Sequence, residues 1–286
     1  MINFVRMTEP SYNSIGDSFI EPVVKYLESF TISDRTLLGA TNVHMTMQED
    51  YIQKVGLLGK NVLLPHGIAD KGIRDYKDIF MFDRVIVSGP AWVSKLANQG
   101  MSRQKIFVGG YPKLDAVTKV KRDDTNTVLW APTHSLSAGS TYPLLQPLVE
   151  SLNHKVIIST HPYDRVCKVP TFDALTQARV VIADVGSTVY EAMALGVPVV
   201  FADWLMKDMI LRLLPDSFEA ALFNKNIGYH ASNEEQFINM VNEAYSAQNL
   251  GFKAKKFIDG ILPASLVGKS GKKIADYLTM LDQTTN

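Results

Sequence analysis

The chain has 286 residues, 46% hydrophobic and 20% charged, with 29 basic side chains balanced by 29 acidic ones. That composition excludes a disordered chain, because ample apolar surface offsets the entropy of ordering the backbone. Zero net charge argues against bulk attraction to nucleic acid. The single cysteine, Cys167, excludes an intrachain disulfide and suits a reducing compartment; between Arg165 and Pro170 it reads as part of a loop rather than as a nucleophile. The first residues lack the apolar run of a signal peptide, and no segment has the roughly 20 apolar residues of a membrane helix. The expected location is cytoplasmic, with a surface patch against the inner face of the membrane as the alternative.

Residues 1–6 read as a first strand, and residues 17–30 as a helix with an apolar stripe at Phe19, Val23, Val24 and Leu27. A short strand over residues 61–64 ends at Pro65, His66 and Gly67, where proline and glycine force a turn. Residues 84–88 form another strand, then Gly89 and Pro90 lead into a helix through Trp92, Leu96 and Ala97. Residues 105–108 close this half. The stretch 113–126 is charged and weakly periodic, and it divides a domain over residues 1–115 from a second over residues 127–286. The second half carries strands at 127–131, 155–159, 180–183 and 197–202, a helix over 187–195, and C-terminal helices from Glu234 to Leu281 after a cap at Ser232 and Asn233. These strands are short and rich in valine and isoleucine, the pattern of a parallel sheet covered on both faces. The expected fold is α/β, with two facing, doubly wound, Rossmann-like domains; one continuous sheet with an insertion is the alternative.

Ligands of doubly wound sheets lie at the carboxyl ends of strands, and four clusters follow predicted strands. In the first, the His66 imidazole can act as base or acid near neutral pH, with Asp70 and Lys71 near enough in sequence to orient it or contact phosphate. A structural histidine reads equally well there. The second cluster is Thr133 and His134. The third is His161, held extended by Pro162; its imidazole can donate to a phosphate. No carboxylate or cysteine completes a short-spaced metal set with these histidines, so no metal site is expected.

The fourth cluster is Asp184, Val185, Gly186, Ser187, Thr188 and Glu191. Gly186 permits a tight turn. Ser187 and Thr188 fall in the first helical turn, where orphan amides, hydroxyls and the positive helix end favour a diphosphate. A Ser187 that only caps the helix is the plainer alternative. Glu191, four residues after Ser187, would share its face and accept from ribose hydroxyls. There is no Walker loop and no Gly-x-Gly-x-x-Gly; Gly268, Lys269, Ser270 and Gly271 lack the upstream glycine and strand that a phosphate loop requires.

Taken in order, these clusters resemble the CDP-glycerol glycerophosphotransferases of wall teichoic acid and capsule synthesis, enzymes of the two-domain glycosyltransferase B fold. The likeness runs from about residue 60 to the C-terminus. His66 matches the family's histidine-glycine base, and residues 109–115 match a glycine-tyrosine-proline-arginine-x-aspartate pattern with Lys113 for arginine. Residues 82–88 and 129–133 match family strands, and His161 matches a histidine thought to contact donor phosphate. Residues 268–274 match the family's ending before its last helix. The family's aspartate-tyrosine-serine-serine segment appears as Asp184 to Thr188 with the hydroxyl pair kept. Gly186, Glu191, Ala192 and the run Gly196 to Val199 look more like sugar-nucleotide glycosyltransferases and UDP-N-acetylglucosamine 2-epimerases. Residues 13–17 resemble an opening of polysaccharide pyruvyl transferases.

The resemblance implies a transferase that moves glycerol phosphate from a CDP-activated donor to an acceptor hydroxyl in cell-surface polymer synthesis, without a cofactor. His66 and Asp70 would be catalytic. Thr133, His134, His161, Asp184, Gly186, Ser187, Thr188 and Glu191 would surround the donor, in a cleft hinged at 113–126. The acceptor would be a polyol phosphate or a saccharide, lipid-linked or free. Trp92, Lys95 and Arg103 could touch an anionic polymer or a membrane, a solvated helix face being the plainer reading. A UDP-sugar transferase or 2-epimerase, and a non-catalytic nucleotide-binding protein, are the rival functions.

Overall fold

Short apolar runs alternating with helices satisfy their backbone hydrogen bonds as parallel strands with both faces covered. A computed structural model describes residues 1–7, 10–70, 76–117, 125–133, 140–161, 170–247 and 249–284, with the side chains of 10–15 left aside. Two compact units emerge: Met1–Ile68, Ile73–Thr118 and Asp259–Asn286 in the first, Ala69–Gly72 and Lys119–Ile258 in the second. The first sheet runs β2-β1-β3-β4-β5-β6, from β1 (Ile2–Val5), β2 (Thr31–Ser33), β3 (Thr41–His44), β4 (Lys60–Leu63), β5 (Arg84–Val87) and β6 (Ile106–Val108). The second runs β11-β10-β9-β7-β8, from β7 (Thr127–Ala131), β8 (Lys155–Ile158), β9 (Ala178–Ala183), β10 (Val199–Ala202) and β11 (Tyr229–Ala231). Every pairing is parallel. Counted from its own first strand, each sheet has the order 2-1-3-4-5, the first adding a sixth strand. The architecture is the expected α/β one, two Rossmann-like domains.

In the second unit, Val128, Trp130, Val180, Ile182 and Val200 pack on one side of the sheet against Val149 of α4 (Gln146–Glu150) and Phe237 and Val241 of α9 (Glu234–Ala247). Helices α5 (Thr171–Gln177) and α6 (Ser187–Ala194) also pack against β9, and α6 against β10. The first unit is built differently. Asn3, Asn42 and Asn61 stand in one row across β1, β3 and β4. All three are buried, at 4% exposure or less. Asn3 donates to the Asn42 Oδ1 at 2.8 Å, and Asn42 also accepts from the Leu37 amide and donates to the Leu37 and Leu58 carbonyls. This polar strand interior is why β3, with β2 at the sheet's edge, goes unannounced by any apolar run.

Two other expectations change. The first helix, α1, spans Pro10–Val24 rather than 17–30, and closes with Tyr26 and Leu27 amides bonded three residues back. The C-terminal residues from Asp259 onward belong to the first unit, not with the second-half strands. The cause is a set of specific bonds at the start of α11 (Ser270–Gln283). The Asp115 carboxylate accepts from the Gly271 amide at 2.7 Å and the Ser270 amide at 3.2 Å, and the Ser270 Oγ accepts from the Tyr111 amide at 2.9 Å. A Cβ on Gly271 would strike the Pro22 carbonyl, so glycine lets α11 lie against α1. Residues 113–116, expected in a linker, are therefore a 3-10 turn (Pro112–Ala116) within the first unit. The two glycine-containing segments that carry part of the family resemblance meet each other, one capping the helix that the other begins.

Candidate functional site

The second unit's topological switch lies between β7 and β9, the place at the carboxyl ends of the strands where doubly wound sheets take their ligands. Asp184 stands there directly after β9, 1% exposed. Its Oδ2 accepts from the Thr133 amide at 2.9 Å and the Thr141 amide at 3.0 Å, and its Oδ1 accepts from the Thr141 hydroxyl at 2.6 Å. One carboxylate thus ties together both ends of the segment between β7 and α4, and three donors disperse its charge. Thr141 has no signal in the sequence; only its distance in space from Asp184 reveals it.

Two residues on, Gly186 has φ 111° and ψ −175°, a conformation open to glycine and strained for other residues. It turns the chain into α6, whose first turn holds Ser187 and Thr188 and no acidic side chain. Both hydroxyl residues are partly exposed, whereas Glu191, one turn on, is 1% exposed. An anion would meet helix amides and two hydroxyls here, with the helix dipole in its favour. His161 follows β8 and is also partly exposed, after the buried Ser159 and Thr160. Since β7 separates β8 from β9, His161 and Ser187 follow the strands on either side of β7.

In the first unit, His66 follows β4, and its amide and Nδ1 both bond the Met45 carbonyl, at 2.9 and 2.7 Å. A carbonyl only accepts, so Nδ1 carries the proton and the lone pair of the neutral ring is on Nε2. Burial lowers the His66 pKa below 6.5, the Met45 bond opposes this and the Lys113 charge adds to it, so the ring is neutral at pH 7. The Met45 carbonyl does the orienting that the sequence offered to Asp70. Asp70 is 2% exposed, and its carboxylate accepts from the Phe218 amide at 3.0 and 3.2 Å, at the start of α8 (Phe218–Asn224).

No protein-family model matches the sequence, and no curated protein matches it. Solved structures do. A histidine-to-asparagine variant of the wall teichoic acid polymerase TagF has a TM-score of 0.69 and 13% identity, over 99% of this chain and 89% of that one. The same variant soaked with CDPG for 30 minutes has a TM-score of 0.67 and 14% identity, over 99% and 88%. A putative UDP-N-acetylglucosamine 2-epimerase from Listeria monocytogenes has a TM-score of 0.56 and 14% identity, over 100% and 97%. The fold is of the glycosyltransferase B type.

Within this glycosyltransferase B fold the remaining sequence candidates divide. His134, Lys71, Pro162 and Cys167 lie outside the described residues. Trp92 is 6% exposed and belongs to the core, so the surface expected around it loses its aromatic member. Lys95 lies over the Tyr76 ring, 5.4 Å from its centroid. Among the described residues, no group of three or more histidine, cysteine, aspartate or glutamate side chains is placed to hold a metal ion, and no helix is long and apolar enough to cross a membrane.

Proposed function

We propose that this protein is a transferase that uses a nucleotide-activated donor, and that the donor is CDP-glycerol. The observation that carries the reading is the Gly186 turn into α6 at the β7/β9 switch, which presents Ser187, Thr188 and helix amides to an anion. The donor diphosphate takes that position, with His161 donating a further hydrogen bond and Glu191 held for the ribose. Asp184 is a positioning residue: it fixes Thr133 and Thr141 beside the site. The acceptor hydroxyl gives its proton to His66 Nε2. Its oxygen bonds the β-phosphorus as the bond from that phosphorus to the bridging oxygen breaks, and CMP leaves with the electron pair. The helix end stabilises the charge that develops on the leaving phosphate. The extent of the likeness to TagF, including its CDPG-soaked form, supports the cytidine donor. An acceptor in cell-surface polymer synthesis follows from the same likeness.

A UDP-sugar reaction is the second reading, favoured by the likeness to the putative 2-epimerase and by the Glu191-Ala192 and Gly196 to Val199 segments. Calorimetric titration with CDP-glycerol, CDP, UDP and GDP separates the two. Binding of cytidine ligands, improved by the glycerol, is expected. Preference for UDP or GDP moves the protein to sugar chemistry, and no binding to any of them makes it a non-catalytic protein.

A further inference from the structure

The opposite end of the second sheet has a different chemistry. Helix α10 (Phe252–Ile261) begins beside the amino ends of β10 and β11. It turns Ala254 and Ile258 inward, at 4% and 5% exposure, and leaves Phe252 81% exposed. At 100° per residue, Lys255 and Lys256 flank Phe252 and Lys253 stands at the edge of the same arc. All three lysines are exposed, and residues 249–258 contain no acid. Exposed Lys225 precedes Asn226, which lines the same cavity of about 300 Å³ as Val199, Tyr229, Leu250 and Phe252. Opposing charges in this region are Glu243, which acts on Tyr229, and Asp259, one turn beyond Lys255. In a chain of zero net charge, this is a local basic surface around an exposed aromatic ring.

We propose that the start of α10 docks the second unit on an anionic lipid surface. The lysines meet headgroup phosphates and extend their stems over Phe252, which enters the acyl boundary with Leu250 behind it. A polyanionic chain would satisfy the lysines alone; the exposed ring and the apolar cavity beside it fit a surface that offers hydrocarbon as well as charge. Ser187 and Thr188 stand at the other, carboxyl end of the sheet, away from the lipid. The proposal is independent of which donor binds.

Co-sedimentation of the full chain with vesicles tests it, using phosphatidylcholine alone and phosphatidylcholine with about a third phosphatidylglycerol. Binding to the anionic vesicles only is expected, weakening with salt. Each lysine is worth roughly a fivefold change in affinity at such a surface, so Lys253→Glu, Lys255→Glu and Lys256→Glu together should lower it at least tenfold. Phe252→Ser should lower it several-fold, and the emission of Phe252→Trp should shift to the blue and be quenched by brominated lipid. Circular dichroism and donor calorimetry on the same variants should be unchanged. Three results overturn the proposal: equal or no binding to both vesicles, a triple variant that binds like the parent, or capture by soluble polyphosphate with Phe252→Ser and Phe252→Trp indifferent to lipid.

Discussion

The two sheets share a strand order and differ in what fixes their central strands. In the second, valine, isoleucine and Trp130 fill the space between sheet and helices. In the first, the asparagine row continues into His44, fully buried, whose Nε2 bonds the Asn61 Oδ1 at 2.9 Å and whose Nδ1 bonds the Tyr51 hydroxyl at 3.1 Å. Apolar packing tolerates changes of shape that roughly conserve volume. A saturated buried network does not, because each lost partner strands another polar group. The carboxyl ends differ in the same spirit. On the proposed function, the first unit's neutral imidazole, fixed by a carbonyl, accepts a proton, and the second unit's glycine turn and helix end take the anion.

The division of labour is broken most severely at His66. His66→Ala should lower kcat/KM by about 10²–10⁴-fold and leave the calorimetric affinity for CDP-glycerol unchanged. Because the His66 pKa is lowered from 6.5, the parent's kcat/KM should rise with pH through a midpoint below 6.5. Ser187→Ala and Thr188→Ala should do the reverse of His66→Ala, each weakening donor binding roughly tenfold through loss of a charge-assisted hydrogen bond. Between the interiors, Asn42→Ala should destabilise the first unit by about 3 kcal/mol by orphaning several buried groups, measured by denaturant unfolding.

The pH dependence of stability sharpens the contrast further. Burial pushes the His44 imidazole down to about 4, the Asn61 bond opposing. The unfolded chain therefore takes up a proton near 6.5 that the folded chain refuses. Stability should be level above pH 6.5 and fall by about 3 kcal/mol as pH drops to about 4. His44→Gln should flatten its own part of that slope, leaving the same-signed share of His66. The smallest effect is expected from Ile182→Val in the second unit, about 1 kcal/mol.

Much of this was legible in the residues. Apolar runs such as Val180 to Ala183 announced the second sheet almost strand for strand, because both faces are covered and period is not needed to see them. The Gly186, Ser187, Thr188 turn was legible because its chemistry is local. β3 was not: Asn42 and His44 look like loop residues until Leu37, Leu58, Asn61 and Tyr51, brought together by the fold, supply their partners. Asp70 also has a partner that lies far from it in the sequence. Adjacency to His66 suggested a catalytic pair, yet the Asp70 carboxylate accepts from the Phe218 amide, which comes 148 residues later. The return of α11 to the first unit is a long-range event that no window of sequence contains.

That return has a consequence for synthesis. As the chain leaves the ribosome, β1 to β6 emerge before the second unit, whereas Ile274, Ala275, Leu278 and Leu281, all buried in the finished first unit, emerge after it. The second unit, complete by Ile258, can therefore finish folding while the first still waits with an uncovered flank. A chain ending at Ile258 should hold a protease-resistant second unit and a protease-sensitive first one, because the last turns of α11 are what close the first unit.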